Sequence, residues 1–370
     1  MKAVTTLLVI CVAGLLSLGL VMLYSASMAE VGARYLVMQL IWGGLGLGCC
    51  IAAASLDYRW LKKVSWVPLI FAVVLLAWVM IDGKRINGAK RWLIYGPVRF
   101  QPSELAKLGL IIAVAWYGEH FQRQMPTWKR GIMIPAGFIA MVLGLIFVEP
   151  DRGTTILMIL VCGAMLLLAG VEWKYFIPPI CLVVGGLAVS LLCDPMRLHR
   201  MTGWLHLEEH KEGVGYQAYH AMVALGTGGW LGLGLGNGEQ KLGFVPENHT
   251  DFILSVIGEE LGLIATLLVV AAFVLFMICG LVIAKNARDT FGFLMAAGLT
   301  LLIGIQAFIN IGVVTSALPN KGLPLPFISY GGSNLLIMLV CVGLLLSVAR
   351  QGKPAQKSEV ELDEKVPARA

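Results

Sequence analysis

Four groups of ionisable or amide residues stand inside or against apolar sequence, where charge is costly and faces a bundle interior or a wet cavity. In QPSELAK, Pro102 suits the first turn of a helix, and Glu104 and Lys107, three apart, share one of its faces. Two readings stand there: an internal ion pair that holds the helix, or a carboxylate and ammonium lining a cavity in which Lys107 meets an anion. PENHTDF carries Asp251, which precedes a charge-free run over 261–284 that can span a membrane alone. The intervening ten or so residues are about 15 Å of helix, so Asp251 marks a helix start beyond the span, with Thr250 or Asn248 as the cap. Its carboxylate either complements the helix dipole or serves as an ionised, outward-facing base. His249 beside it is a second proton carrier or a polar interface residue. Glu259 and Glu260 of IGEELG lie on other faces of the helix than Asp251, at about 100° per residue. EPDRGTT sets Glu149, Asp151 and Arg152 at the outer end of two spans, a capping position. Gln306 and Asn310, four apart, suit hydrogen bonding between membrane helices.

The elements that must position these groups are apolar helices. Of 370 residues, 58% are hydrophobic and 14% charged, against about half and a quarter in soluble domains. That excludes a soluble enzyme, a nucleic-acid binder and a disordered scaffold. Apolar runs near 5–24, 36–54, 64–81, 105–118, 131–148, 153–171, 175–193, 261–284, 290–316 and 332–349 give ten spans. The fold expected is an all-α polytopic membrane protein with one transmembrane domain over 1–350 and a disordered polar tail over 351–370. The first run, about 20 residues, exceeds the 7–15 of a cleaved signal and reads as a retained helix. The eight cysteines make no CxxC or CxxH frame and read as small buried apolar residues. Neither HExxH, a Walker loop nor GxSxG occurs.

Lysines and arginines at alternate loop ends favour both termini in the cytoplasm, which puts a long loop between the seventh and eighth spans outside. One outer loop breaks the pattern with Lys84, Arg85, Lys90, Arg91 and Arg99. Either the charge there is merely tolerated, or it meets an anionic ligand. The long loop ends in a Gly-rich apolar piece, AMVALGTGGWLGLGLGNG, suited to close backbone approach. A shorter one holds SALPNKGLPLPFISYGGS, whose prolines and glycines suit a fixed, irregular chain resting on other protein.

With NGAKRW (87–92), FQPSELAK (100–107), EPDRGT (149–154), PENHTDFI (246–253), GEELG (258–262) and LPLPFISYGGS (323–333) in this order, the chain resembles the SEDS family. These are membrane glycosyltransferases of bacterial cell-wall synthesis, and the resemblance runs from YSAS at Tyr24 to the last span, closer to the division branch than the elongation branch.

The resemblance implies an enzyme of the inner membrane. It would polymerise lipid II on the outer face by inverting glycosyl transfer from an undecaprenyl-pyrophosphate-linked glycan to the 4-hydroxyl of a second lipid-linked disaccharide, for septal wall. It implies Asp251 as the catalytic base, with Arg91 and Lys107 as substrate-binding cations, Glu104 orienting Lys107, and Ser329 and Ser333 as polar cavity lining. A divalent metal (Mg or Mn) near the pyrophosphate is chemically reasonable, although no ligand cluster in the sequence demands one. The implied partners are a class B penicillin-binding protein, which would supply crosslinking, and other division proteins. A lipid II translocator and a non-catalytic scaffold for a transpeptidase remain as alternatives; a required carboxylate at Asp251 separates transfer from both.

Overall fold

The computed structural model describes residues 1–86, 89–95, 98–192, 202–213, 215–241, 243–244, 249–320 and 322–352. Asn87, Gly88, Asn248 and the tail from 353 lie outside them. Hydrocarbon offers no partner for backbone N–H and C=O groups, so membrane segments satisfy them internally as helices. The helices are α1 (Lys2–Val31), α2 (Arg34–Ser55), α3 (Tyr58–Lys63), α4 (Trp66–Asp82), α5 (Pro102–His120), α6 (Ile134–Val148), α7 (Arg152–Leu168), α8 (Ile177–Leu192), α9 (Tyr216–Thr227), α10 (Ile253–Lys285), α11 (Thr290–Val314) and α12 (Gly332–Arg350). Among the described residues each of the ten apolar runs overlaps a helix of its own, with α3 and α9 as shorter helices between them. Among the described residues six helical segments are long and apolar enough to cross a membrane, and α4 and α7 are shorter apolar helices.

Local chemistry sets several starts. Pro102 stands in the first turn of α5, and Asp151 caps α7 by accepting from Thr154 N at 3.1 Å. Asp289 caps α11 through Gly292 N at 2.9 Å. α10 starts at Ile253 after Phe252, which supplies no side-chain cap, and Thr250 and Asp251 sit in the turn before it, while Asn248 lies outside the described residues.

The bundle has an inside and an outside. Of the most apolar windows, those of α11 and α12 are 72% and 78% buried and that of α2 only 17%, so α11 and α12 form the centre and α2 turns most of its surface outward. α12 lies along α2, and α5 packs on α4 and α11. The charged loop after α4 is a small antiparallel sheet ordered β1 (Lys84–Ile86), β2 (Ala89–Tyr95), β3 (Val98–Phe100). It is the one departure from an all-α chain among the described residues. The polar alternation there is too short to separate from a loop by sequence.

α10 is broken at Gly262, at φ 78°, where the charge-free run begins. The freed groups are met by the Gly-rich segment: Leu233 N and Gly234 N donate to Glu259 O and Glu260 O at 3.0 and 2.9 Å, and Leu263 N donates to Gly229 O at 2.9 Å. A side chain at Gly262 would run into the backbone of 230–232. The glycines let two backbones meet where a helix has opened.

Candidate active site

Asp251 is held by its backbone. Asn310 on α11 donates from Nδ2 to Asp251 O and to Leu323 O, both at 2.7 Å. One turn back, Gln306 donates to Pro324 O at 2.8 Å. One face of α11 therefore fixes both the aspartate turn and the Pro/Gly segment 322–331. Those two strands of chain are also tied directly: Ser329 Oγ donates to Thr250 O at 2.5 Å and Tyr330 N to His249 O at 2.9 Å. Ser329 Oγ accepts from Leu325 N at 2.8 Å. Gln39 on α2 donates to Ser329 O at 3.1 Å. A Cβ at Gly322 would stand 2.9 Å from Asp251 Oδ2, so the glycine leaves room over the carboxylate. Asp251 itself is half-buried.

Lys107 and Glu104 lie beneath this turn. Their ion pair is 2.8 Å long, the Lys107 side chain 0% exposed and Glu104 5%. Lys107 also donates to Gln306 Oε1 at 3.1 Å. The geometry favours the internal ion pair over an ammonium open to an anion. It bears on Asp251 through Gln306 and the Pro/Gly segment.

Arg91 on β2 points to the turn between α6 and α7, donating to Glu149 O at 2.9 Å and to Pro150 O. Ser333 is buried; its hydroxyl donates to Arg99 O at 3.2 Å and accepts from Gln101 N at 3.1 Å. Ser329 and Ser333 are thus ties between segments. The structure brings Asp251, Ser329, Gln306 and Asn310 into one hydrogen-bonded unit, with Lys107 and Glu104 as its foundation. Arg91 and Ser333 join the β-sheet to its rim.

Three features escaped sequence reasoning. Tyr35, His249 and Tyr330, from α2, the aspartate turn and the Pro/Gly segment, pack as a ring cluster, Tyr35 lying 4.7 Å from His249 and 4.6 Å from Tyr330. No sequence spacing links them; His249 and Tyr330 stand in quoted motifs, and Tyr35 in none. Glu149 is 2% exposed, and neither carboxyl oxygen is hydrogen-bonded to a described residue. Burial first, then Asp151, raise its pKa to about 8, with Arg91 opposing. Glu260 is buried against Lys241 (2.6 Å) and accepts from Ser25 and Gly236 N, while Glu259 accepts from Glu239 N at 2.8 Å. These two carboxylates hold the Gly-rich segment, apart from Asp251. Among the described residues no three His, Cys, Asp or Glu side chains gather as a metal set.

The FtsW/RodA/SpoVE model, described as a cell cycle protein, matches residues 5–354. The chain belongs to that family. Among curated members, the probable peptidoglycan glycosyltransferase FtsW of Coxiella burnetii is 37% identical, over 92% of this chain and 95% of its own. That of Allochromatium vinosum, under the same name, is 39% identical over 92% and 88%. Among solved structures, a chain from a study of how a peptidoglycan synthase complex coordinates polymerization and crosslinking superposes with TM-score 0.77 at 27% identity, covering 93% of this chain and 96% of that one. The rod shape determining protein RodA of Thermus thermophilus gives 0.71 at 28%, covering 94% and 97%.

Proposed function

We propose that this family member is a peptidoglycan glycosyltransferase of the division type, with Asp251 as its general base. It polymerises lipid II, joining the donor's anomeric carbon to the acceptor 4-hydroxyl while the undecaprenyl pyrophosphate departs. The observation that carries the reading is the built mount of Asp251: its carbonyl is fixed by Asn310, and a glycine faces its carboxylate. A base needs only hydrogen-bond reach to the hydroxyl and an ionised resting state, and this turn holds a carboxylate in place without covering it. The pyrophosphate is a good leaving group, so charge stabilisation matters more than a strong acid.

Both termini lie in the cytoplasm and the Asp251 turn faces the cell exterior or periplasm, as the lysine and arginine distribution favours. The β-sheet and its cations then share the outer side with the active site. The partner is a class B penicillin-binding protein that crosslinks the product, a pairing supported by the synthase-complex chain that this fold resembles. Lys107 and Glu104 act as positioning residues, and Arg91 holds the turn at Glu149 and Pro150. The direct test incubates the purified protein with labelled lipid II, with and without its partner. Wild type yields glycan strands and Asp251→Ala does not. Equal polymer from both, or lipid scrambling in liposomes without polymer, contradicts the reading.

A further inference from the structure

Helix α9 has two unlike faces. Ala218, Ala221 and Ala224, three apart, are its buried residues, and the element it packs on most is α10. At about 100° per residue, Tyr216, Tyr219 and His220 lie on the opposite side and share one face, each of them half-buried. His220 is the hub of a ring cluster there. Its centroid is 4.4 Å from that of Tyr216, 5.6 Å from Tyr219 and 5.5 Å from Phe244, and Phe244 is 46% exposed. His220 Nδ1 stands 2.9 Å from Gln240 Oε1. An amide oxygen only accepts, so Nδ1 carries the hydrogen and the neutral ring keeps Nε2 as an acceptor. The cluster is joined to the catalytic turn. Asn320 donates from Nδ2 to Oε1 of Gln217, next to Tyr216, at 3.1 Å. Two residues on, a backbone span of at most about 7 Å, Gly322 faces the Asp251 carboxylate.

We infer that the aromatic face of α9 with Phe244, edged by Gln217, Gln240 and Asn320, holds the sugars of the growing glycan that lie behind the reacting one. Half-buried aromatic rings present a flat apolar face with a wet edge, which suits the carbon face of a pyranose. The amides donate and accept at once, as the hydroxyl and acetamido groups of an N-acetylated amino sugar require. Phenols and amides carry no charge, so the patch suits neutral sugars and not a phosphate. Its position selects the strand. In the transfer proposed above the growing glycan is the donor: its lipid-linked sugar carries the reacting carbon, and every other sugar lies further from Asp251. A second contact beyond the reacting centre keeps the strand at high effective concentration while its lipid end is exchanged. One bound strand then undergoes many transfers before it is released. No bond is made or broken by these side chains; they retain the polymer.

The inference rests on the function proposed above, and strand length separates the two. Full-length protein in phosphatidylcholine nanodiscs, with and without its partner, is given labelled lipid II, and both lipid II consumption and strand length are read. The β-1,4-linked hexamer of N-acetylglucosamine is titrated in parallel, with melting temperature recorded for each variant. Wild type binds the hexamer, and the dimer at least about tenfold less tightly. Tyr219→Ala and Phe244→Ala each weaken hexamer binding by about two- to tenfold and shorten the strands by a larger factor than they slow consumption. Asp251→Asn binds the hexamer as wild type. Strands of wild-type length from Tyr219→Ala/Phe244→Ala overturn the inference alone, as does a wild type with no measurable affinity for the hexamer. Shortening seen only when the partner is present also overturns it, since the patch would then be a protein interface. A wild type that makes no strands overturns the functional reading with it. Where an alanine variant melts early, leucine takes its place, keeping apolar volume without the flat ring, and the same shortening is expected.

Discussion

A carboxylate pair in one turn behaves oppositely at its two members. Asp151 is committed to the α7 cap and accepts from Thr154 Oγ1 and from Gln101; Glu149 is buried without a hydrogen bond to a described residue. A carboxyl raised in the folded state to about 8 from an ordinary 4.5 binds its proton more tightly folded than unfolded. Its neutral form costs nothing below 4.5, and stability falls as pH rises through the window up to about 8. Melting temperature should therefore drop over that range in wild type, and Glu149→Gln should flatten this part of the profile and melt higher at pH 8. An unchanged profile would mean the carboxyl is ionised and paired. Lys107→Met is a harsher change, since it strands the buried Glu104. Loss of one partner from a buried pair costs about 3–5 kcal/mol. Restoring neutrality with Glu104→Gln in the same chain should recover much of the melting temperature, though not the Gln306 contact that steadies the Pro/Gly segment.

Among elements, α10 carries the most unusual chemistry. Its N-terminal part, from Ile253 to the break, is one unit with the Gly-rich segment, sewn by backbone hydrogen bonds and by Glu259 and Glu260. Gly262→Ala meets both a positive φ and the backbone of 230–232. We expect a loss of stability above the roughly 1 kcal/mol typical of a left-handed residue, read as a lower melting temperature and less folded protein. Gly137→Ala on α6, where a Cβ meets nothing within 4 Å, is the control and should be neutral. This break is not in the sequence reading: helix is expected unbroken from Asp251 into the charge-free run at 261, and it is the structure that shows the break at Gly262 and its partner. Pairing between segments some thirty residues apart leaves no periodic trace. The helix-compatible motif FQPSELAK announced α5 plainly, because Pro102 and the spacing of Glu104 and Lys107 are local signals. Which reading of that pair applies depended on Gln306, two hundred residues away.

At the scale of the molecule, hydropathy located the helices, since burial in lipid is a property of composition. It could not say which helices are central, because lipid and protein interior are equally apolar. Their burial puts α11 and α12 there and α2 at the margin. The cations followed the same logic. Counting them picked out the loop at 84–99, while only the fold distinguishes Arg91, donating to backbone carbonyls, from Arg99, exposed on the next strand. The proposed topology predicts that single cysteines at Lys84 or Arg99, in a chain with its exposed Cys49 and Cys181 replaced, react with impermeant maleimide added outside intact cells. A cysteine at Lys285, at the other end of α10, should react only after lysis. The reverse pattern would invert the protein and move the Asp251 turn to the cytoplasm. The central claim concerns that turn, and polymerisation by Asp251→Asn measures it most directly. The substitution keeps the size and the Asn310 mount while removing the proposed base, and general-base loss is worth about 10²–10⁴ in rate. The account predicts glycan strands from wild type, and from Asp251→Asn a loss of that order with unchanged melting temperature. Polymer formed at the wild-type rate by Asp251→Asn would contradict it.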